Sequence, residues 1–512
     1  MSDNISSIKQ VPAELWMYMF ELMDSPKDLS NVLRTCRSFH NYAIRALHRS
    51  IIWKQPAASA HNLPFWGDDT EVLLNNVQSL DLHVSSLPDR APGNFVDVGG
   101  WATIEYYKVL QEWATPTLYG ALMKRLTSFT RLHTLRLQDL FFTDTLFDAL
   151  HMLPGLRTLH IQNCFFPRRQ DVTARDHSTL PITSLTLVHI RRQVLRGGRR
   201  GEDENNMFVE MDEDISYALD IASAHNLRTL RVDSTADVFA LVYRKRDHGA
   251  YSFKIPESLT HLYVMRKRAV RNIIQPLYHS EQLFPVAAYS VMERCPTLQT
   301  ISLGYPLPKH HSFPKRDSIP NLSQCEGGLD TIAALASGRP LRALSILRSD
   351  APTEGILETL GRLGQEHPNL RMLKVHCKNW DIEILEAITQ LFPRLQKLSL
   401  TYDEPHPGRP WEQDTIVSFG PHYLHRLEHL HTVEIFDTPD DLTVKHPSFL
   451  YDDTFDSIDE ELRNLVIPWN RYCKSLRQVQ LHAGYVMRRG YEGAPWSMHK
   501  AHEIQETSDF EY

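Results

Sequence analysis

The stretches LHTLRL (residues 132–137) and LRTLHI (156–161) share one template, Leu-x-x-Leu-x-[Leu/Ile/Val]. It recurs as LRTLRV (227–232), LTHLYV (259–264), LRALSI (341–346), LRMLKV (370–375) and LQKLSL (395–400). In a chain with this much leucine, chance supplies about one or two strict copies. Seven therefore decide the reading. Looser copies are VQSLDL at 77, ITSLTL at 182, LQTISL at 298, LHTVEI at 430 and LRQVQL at 476. A further match, LRNLVI (462–467), sits in a helix-like stretch and is set aside.

Leu135 and Leu137 alternate with Thr134, Arg136 and Gln138, the period of a strand buried on one face. Most copies follow an amphipathic helix-like segment and a short turn, as in TLFDALHMLPG, AAYSVMERCPT, LDTIAALASGRP, ILETLGRLGQEHPN and DIEILEAITQLFPR. In the last of these, Ile382, Leu385, Ile388 and Leu391 recur at helical spacing. Such a helix–turn–strand unit has one apolar face that only its neighbours can cover.

Strand starts are spaced irregularly, by 24 to 55 residues. A regular leucine-rich repeat takes about 20–29. The arrangement resembles the degenerate, long-repeat form of leucine-rich repeat solenoids. The expected fold class is α/β: a solenoid over 56–483 with a curved parallel sheet, one elongated array with polar insertions at 83–100, 191–206 and 304–328. Residues 484–512 are a tail or cap.

Ahead of the array stands QVPAELWMYMFELMDSPKDLSNVLRTCRSFHNYAIRAL. Three short amphipathic helices are expected, Ala13–Met23, Leu29–Arg37 and Phe39–Leu47, after a flexible start at 1–8. Pro12 stands just before the first, where a missing N–H costs nothing. Ser25-Pro26 breaks it, and Asp28 is the candidate cap of the second. About fifty residues make only a small core, so these helices need the solenoid or a partner.

Residues 9–55 resemble an F-box, the resemblance resting on Val11-Pro12-x-Glu14-Leu15, Met19-Phe20, Asp28-Leu29, Val32, Arg34-x-Cys36-Arg37, Phe39 and Leu47-x-Arg49. Val11 replaces the usual leucine before the proline, and Phe39 the frequent tryptophan after the cysteine step. An F-box ahead of long repeats is similar to the expanded F-box families of fungi. The resemblance implies a non-catalytic adaptor: a substrate-recognition subunit of a Skp–cullin–F-box ubiquitin ligase, acting in cytoplasm or nucleus. The adaptor-contact candidates are Val11, Pro12, Leu15, Met19, Phe20, Leu29, Val32, Leu33, Cys36 and Phe39. The alternatives are a cap on the first repeat and a scaffold assembling outside ubiquitination.

Substrate is expected on the concave strand face, whose outward positions include Arg231, Tyr263, Lys374, His376 and Phe436. Arg266, Lys267 and Arg268 follow one strand, with Arg244–Arg246 and Arg191–Arg192 after neighbouring ones. That basic rim reads either as a site for a phosphorylated or acidic segment, through arginine forks, or as an ordinary charged loop or import signal.

Other chemistries find little support. The net charge of −7 over 512 residues leaves no basic excess for nucleic acid. The six cysteines form no CxxC pair, and the sparse thiols fit a reducing compartment. No run of 18 apolar residues predicts a membrane span and no signal-peptide pattern opens the chain, so a soluble intracellular protein is expected. RGGRRG (196–201) lacks the ending of a phosphate loop. HRLEH (425–429) matches an inverted zinc-peptidase motif, with His422, His425 and His429 on one helical face. The same residues fit the repeat register through Leu424, Leu427 and Leu430, which outweighs the metal reading. No catalytic residue, cofactor or metal ligand is assigned.

Overall fold

The computed structural model describes residues 11–23, 25–54, 63–66, 71–83, 116–140, 142–166, 175–188, 190–192, 217–233, 256–265, 291–304, 316–404, 413–437, 455–482 and 484–501. The chain divides into two compact units, Met1–Leu259 with Lys267–Ala287, and Thr260–Arg266 with Ala288–Tyr512. The expected flexible start at 1–8, Arg244–Arg246, Arg266, Lys267 and Arg268, and most of the first two expected insertions lie outside the described residues.

Unit 1 opens with helices α1 (Ala13–Glu21), α2 (Pro26–Leu33) and α3 (Arg37–Leu47). Strands β1 (Ser50–Trp53), β2 (Ser79–His83), β3 (Thr134–Gln138), β4 (Thr158–Gln162), β6 (Ser184–Val188) and β8 (Thr229–Asp233) then lie side by side in chain order, each adjacent pair parallel. The short β5 (Phe165–Phe166) and β7 (Arg191–Arg192) form a separate parallel pair at the start of the expected 191–206 insertion. Helices α4 (Glu71–Leu74), α5 (Pro116–Thr127) and α6 (Asp144–His151) precede β2, β3 and β4. Register places Leu80, Leu135, Leu159, Leu185 and Leu230 in one row across the sheet, all buried. Leu82, Leu137, Ile161, Leu187 and Val232 form a second buried row, so the period-two reading holds strand by strand.

One backbone device repeats with each strand. The carbonyl of His133 accepts two N–H groups from the next repeat, Arg157 at 2.8 Å and Thr158 at 2.9 Å. Gln78, Arg157 and Thr183 do the same in unit 1. Thr260, Gln299, Ser323, Arg342, Arg371, Gln396 and His431 do so in unit 2. A shared acceptor at each of these steps fixes register through the backbone, and the Thr183 and Ser323 hydroxyls add to it at the Arg157 and Gln299 carbonyls.

In unit 2 the parallel strands are β9 (His261–Met265), β10 (Thr300–Leu303), β11 (Gln324–Gly327), β12 (Ala343–Ser349), β13 (Met372–Asn379), β14 (Lys397–Glu404), β15 (Thr432–Asp437) and β16 (Gln478–His482). Helices α7 (Leu329–Ala336), α8 (Thr353–Glu366), α9 (Ile382–Leu391), α10 (Gln413–His422) and α11 (Ile458–Trp469) supply the other layer. LRNLVI lies inside α11, which explains why that match to the template pairs with no strand.

Two expectations need correction here. The stretch 304–328 is not wholly an insertion, because β11 pairs on both sides within it. It escaped the template because Cys325 and Gly327 stand where leucines were sought, although Leu322 and Cys325 are as buried as any leucine of the core. In the stretch expected as a tail or cap, β17 (Tyr485–Arg488) and β18 (Ser497–Lys500) add to β16 as antiparallel strands. The histidines of 422–429 do not share a helical face. Helix α10 ends at His422, and a short 3₁₀ turn, Leu424–Arg426, follows.

Cys164 marks how close unit 1 comes to the regular pattern, in which an asparagine or cysteine stands three residues after the last strand leucine. Leu156, Leu159, Ile161, Cys164 and Phe166 are all buried, and the Cys164 thiol donates to the Gln162 carbonyl at 3.3 Å. Burial pushes the thiols of Cys164, Cys295, Cys325 and Cys377 up to about 12, so none is a thiolate at neutral pH.

Candidate functional site

The opening helices close around their own small core. Phe20, Leu29 and Ala43 are buried at its centre, with Trp16, Met23, Val32, Leu33, Phe39, Tyr42, Ala46 and Leu47 packed against them. Trp16 and Phe39 rings lie 4.7 Å apart, and Phe20 meets Phe39 edge-on at 5.3 Å. The second helix starts earlier than expected, at Pro26, because Ser25 rather than Asp28 is its cap. Ser25 Oγ accepts from the Asp28 N–H at 3.3 Å, with Pro26 at the first helical position. Cys36 caps α3, its Sγ accepting from the Phe39 N–H at 3.5 Å.

That packing sorts the adaptor-contact candidates. Phe20 and Leu29 belong to the core and present no surface, while Val32, Leu33 and Phe39 are half-buried against it. Val11 is half-buried; Pro12, Leu15, Met19 and Cys36 are exposed. On α1 and its C-terminal cap residue, Leu15, Tyr18, Met19 and Leu22 are 53%, 60%, 51% and 63% exposed. Their spacing of three and four residues puts them on one face. Tyr18 escaped sequence reading because the resemblance placed no weight on it. Its signal was the helical phase it shares with Leu15 and Leu22.

A second surface is the open face of each sheet. In unit 1 register sets Asp81, Arg136, His160, Thr186 and Arg231 in one outward row. Burial, partly offset by Gln162, holds His160 below its ordinary range, so it is neutral at pH 7. In unit 2 the corresponding row runs Tyr263, Ser302, Glu326, Ser345, Lys374, Ser399 and Glu434. His376 and Phe436 share the next row with Thr401 between them.

Charges on the unit 2 face are largely matched to one another. Asp403 accepts from His376 Nε2 at 2.9 Å and pairs with Arg348 Nε at 2.7 Å. Lys397 pairs with Glu434 at 3.2 Å, and the Ser302 hydroxyl donates to Glu326 at 2.5 Å. Of the substrate-face candidates, the structure places Tyr263, Lys374, His376 and Phe436 on this face and Arg231 on that of unit 1. Ser345, Ser399 and Thr401 are buried in these rows, while Tyr263, Glu326, Lys374, His376 and Phe436 are half-buried and form the accessible part, a mixed polar and aromatic surface that suits protein contacts better than a small apolar ligand.

The HRLEH motif is not folded into a metal site. His425, Glu428 and His429 are exposed on a turn, and among the described residues no three His, Cys, Asp or Glu side chains are placed to share a metal ion. No helix among the described residues is long and apolar enough to cross a membrane.

No family model matches the chain, and no curated protein matches it. Among solved structures it is similar to an internalin (inlF) from Listeria monocytogenes at 12% identity and a TM-score of 0.31, over 82% of this chain and 90% of that one. It is also similar to TLR13 in its complex with ssRNA13, at 13% identity and a TM-score of 0.29, over 77% of this chain and 45% of that one. The repeat assignment rests on the strand registers and shared carbonyls, not on likenesses this distant.

Proposed function

We propose that the chain is a non-catalytic substrate-recognition subunit of a Skp–cullin–F-box ubiquitin ligase. In this reading α1 docks the Skp adaptor, and through it the cullin, while the open sheet faces hold a protein substrate. The observation that carries it is the apolar stripe Leu15, Tyr18, Met19 and Leu22, exposed on a helix whose module already has a closed core. A helix capping the first repeat would turn such a stripe toward the repeat, whereas this one faces solvent. Burying the exposed halves of these side chains in a partner's groove is worth on the order of 1 kcal/mol each. The same segment carries Val11-Pro12-x-Glu14-Leu15 and Arg34-x-Cys36-Arg37, the F-box-like pattern. Such a subunit works where its adaptor and cullin are, in cytoplasm or nucleus.

The test is co-expression of the full chain with a Skp adaptor and the adaptor-binding half of a cullin, followed by size exclusion. Co-elution of all three is expected. A well-folded chain that elutes apart from the adaptor overturns the reading and leaves a leucine-rich scaffold.

A further inference from the structure

We infer that the C-terminal end of unit 2 carries a binding site for a phosphate group, either a phosphomonoester on a polypeptide or a free phosphate ion. An open cavity of about 480 Å³ lies between the starts of β15 and β16 and the pair β17–β18. His431, Arg477, Arg488, Arg489 and His499 line it, and none of the described residues lining it is acidic. This inference does not use α1 and is independent of the adaptor reading.

The fold brings these groups together from places far apart in sequence. Register sets Thr432, Gln478, Arg488 and Ser497 in one row across β15, β16, β17 and β18, on the open face of the sheet. Arg477 sits one residue before that row, and Arg489 one after Arg488. The antiparallel turn-back of β17 is what brings Arg488 and Arg489 beside Arg477.

Arg489 is the fixed part of the site. It is 7% exposed, donates through Nε to the Leu476 carbonyl and through Nη2 to the Lys474 carbonyl, both at 2.6 Å, and lies 5.0 Å from the centre of the Trp496 ring. Its partners in those bonds are neutral carbonyls; burial, with Arg477 nearby, holds it below the ordinary arginine range, Glu492 opposing them, and an arginine so placed is still charged and gains from an anion. Arg488 is exposed and donates through Nε to the Gln478 amide oxygen at 3.1 Å, which orients its fork. The exposed Arg477 guanidinium has no hydrogen-bond or ion-pair partner among the described residues. Glu434, on the adjoining part of the face, is taken by Lys397.

Three guanidinium groups stay charged at any physiological pH, and planar forks match tetrahedral oxyanions bidentately. A cluster this compact suits one doubly charged phosphate. A nucleic-acid backbone needs a track of cations along a face, and the row of Tyr263 to Glu434 on the same sheet is not basic. The Gln478 amide stands beside the arginines as a further donor, while the Ser497 hydroxyl donates to the Arg488 carbonyl at 3.2 Å and so helps hold that strand in place.

The experiment is calorimetric titration of the full chain, at low ionic strength, with inorganic phosphate, with the peptide Ala-Gly-phosphoserine-Gly-Ala, and with its unphosphorylated form. Saturable binding of a phosphate probe is expected, with none of the unphosphorylated peptide. In Arg477→Gln/Arg488→Gln, both exposed positions, affinity falls by about tenfold or more while the thermal midpoint holds. Arg477→Gln alone gives a smaller loss in the same direction. Tighter binding of the phosphopeptide assigns the site to modified polypeptide; tighter binding of the ion assigns it to free phosphate. The inference is overturned if neither probe binds, or if the double variant binds either one as well as the parent.

Discussion

Asp139 and Asn163 hold the same place in consecutive repeats, one residue past β3 and one past β4, and the Asn163 amide donates to the Asp139 carboxylate. Both residues take left-handed backbone, with φ of 56° and 55°. Asp139 also accepts from His83 Nε2 at 2.8 Å, so the ends of β2, β3 and β4 are stitched in one line. Asn and Asp are the residues other than glycine that tolerate this conformation.

Replacing Asn163 therefore separates backbone from side chain. Asn163→Ala loses the amide bond and puts at positive φ a residue that tolerates it less well than asparagine, for a cost of about 2–3 kcal/mol. Asn163→Gly loses only the bond and is expected to be about 1 kcal/mol less destabilising. Urea denaturation of both variants checks the order; an alanine variant as stable as the glycine one contradicts it.

Two glycines of α8 make an opposed pair. At Gly364 an added Cβ would sit 2.9 Å from Leu391 Cβ on α9, whereas at Gly361 it would meet nothing within 4 Å. Gly361→Ala is expected to stabilise by up to about 1 kcal/mol through helix propensity. Gly364→Ala is expected to destabilise by about 1–3 kcal/mol as the helices are forced apart. Thermal midpoints of the two variants should move in opposite directions.

The repeats were legible where leucine itself marks the strand. The seven strict copies and the five looser ones all form paired strands, and their inward positions are buried. β11 was not legible, since Cys325 is an adequate apolar filler that a leucine template does not register. β1 was missed for a similar reason: Ile51 and Trp53 point inward with no leucine to mark them. In the opening helices the family-like pattern picked out apolar positions by type. Type alone does not say whether Phe20 faces its own module's centre or a partner, and only packing against Leu29, Ala43 and Phe39 decides it.

Acid should loosen unit 1 through one histidine pair. Burial, with His151 and Arg175 nearby, pushes His177 down to about 4, and burial with Arg175 lowers His151 too. The rings stack at 5.4 Å, with Asp148 and Asp176 the opposing acidic neighbours. A depressed folded value means the unfolded chain takes up the proton first. The contribution is thus whole above pH 6.5 and is lost as pH falls from there to about 4, on the order of 3 kcal/mol for His177. His177→Gln should flatten the fall in urea midpoint across that window; an unchanged slope contradicts the assignment.

The adaptor stripe is the claim on which the functional account turns, and its exposed residues allow a test that leaves the core alone. The measurement is the affinity of the full chain for a Skp adaptor, by calorimetry, for the parent and for Leu15→Asp/Leu22→Asp, with circular dichroism confirming that both are folded. Both positions are more than half exposed. The account predicts that the parent binds and that the double variant loses about 100-fold or more with its thermal midpoint unchanged. A folded parent that does not bind, or a double variant that binds as tightly as the parent, contradicts it.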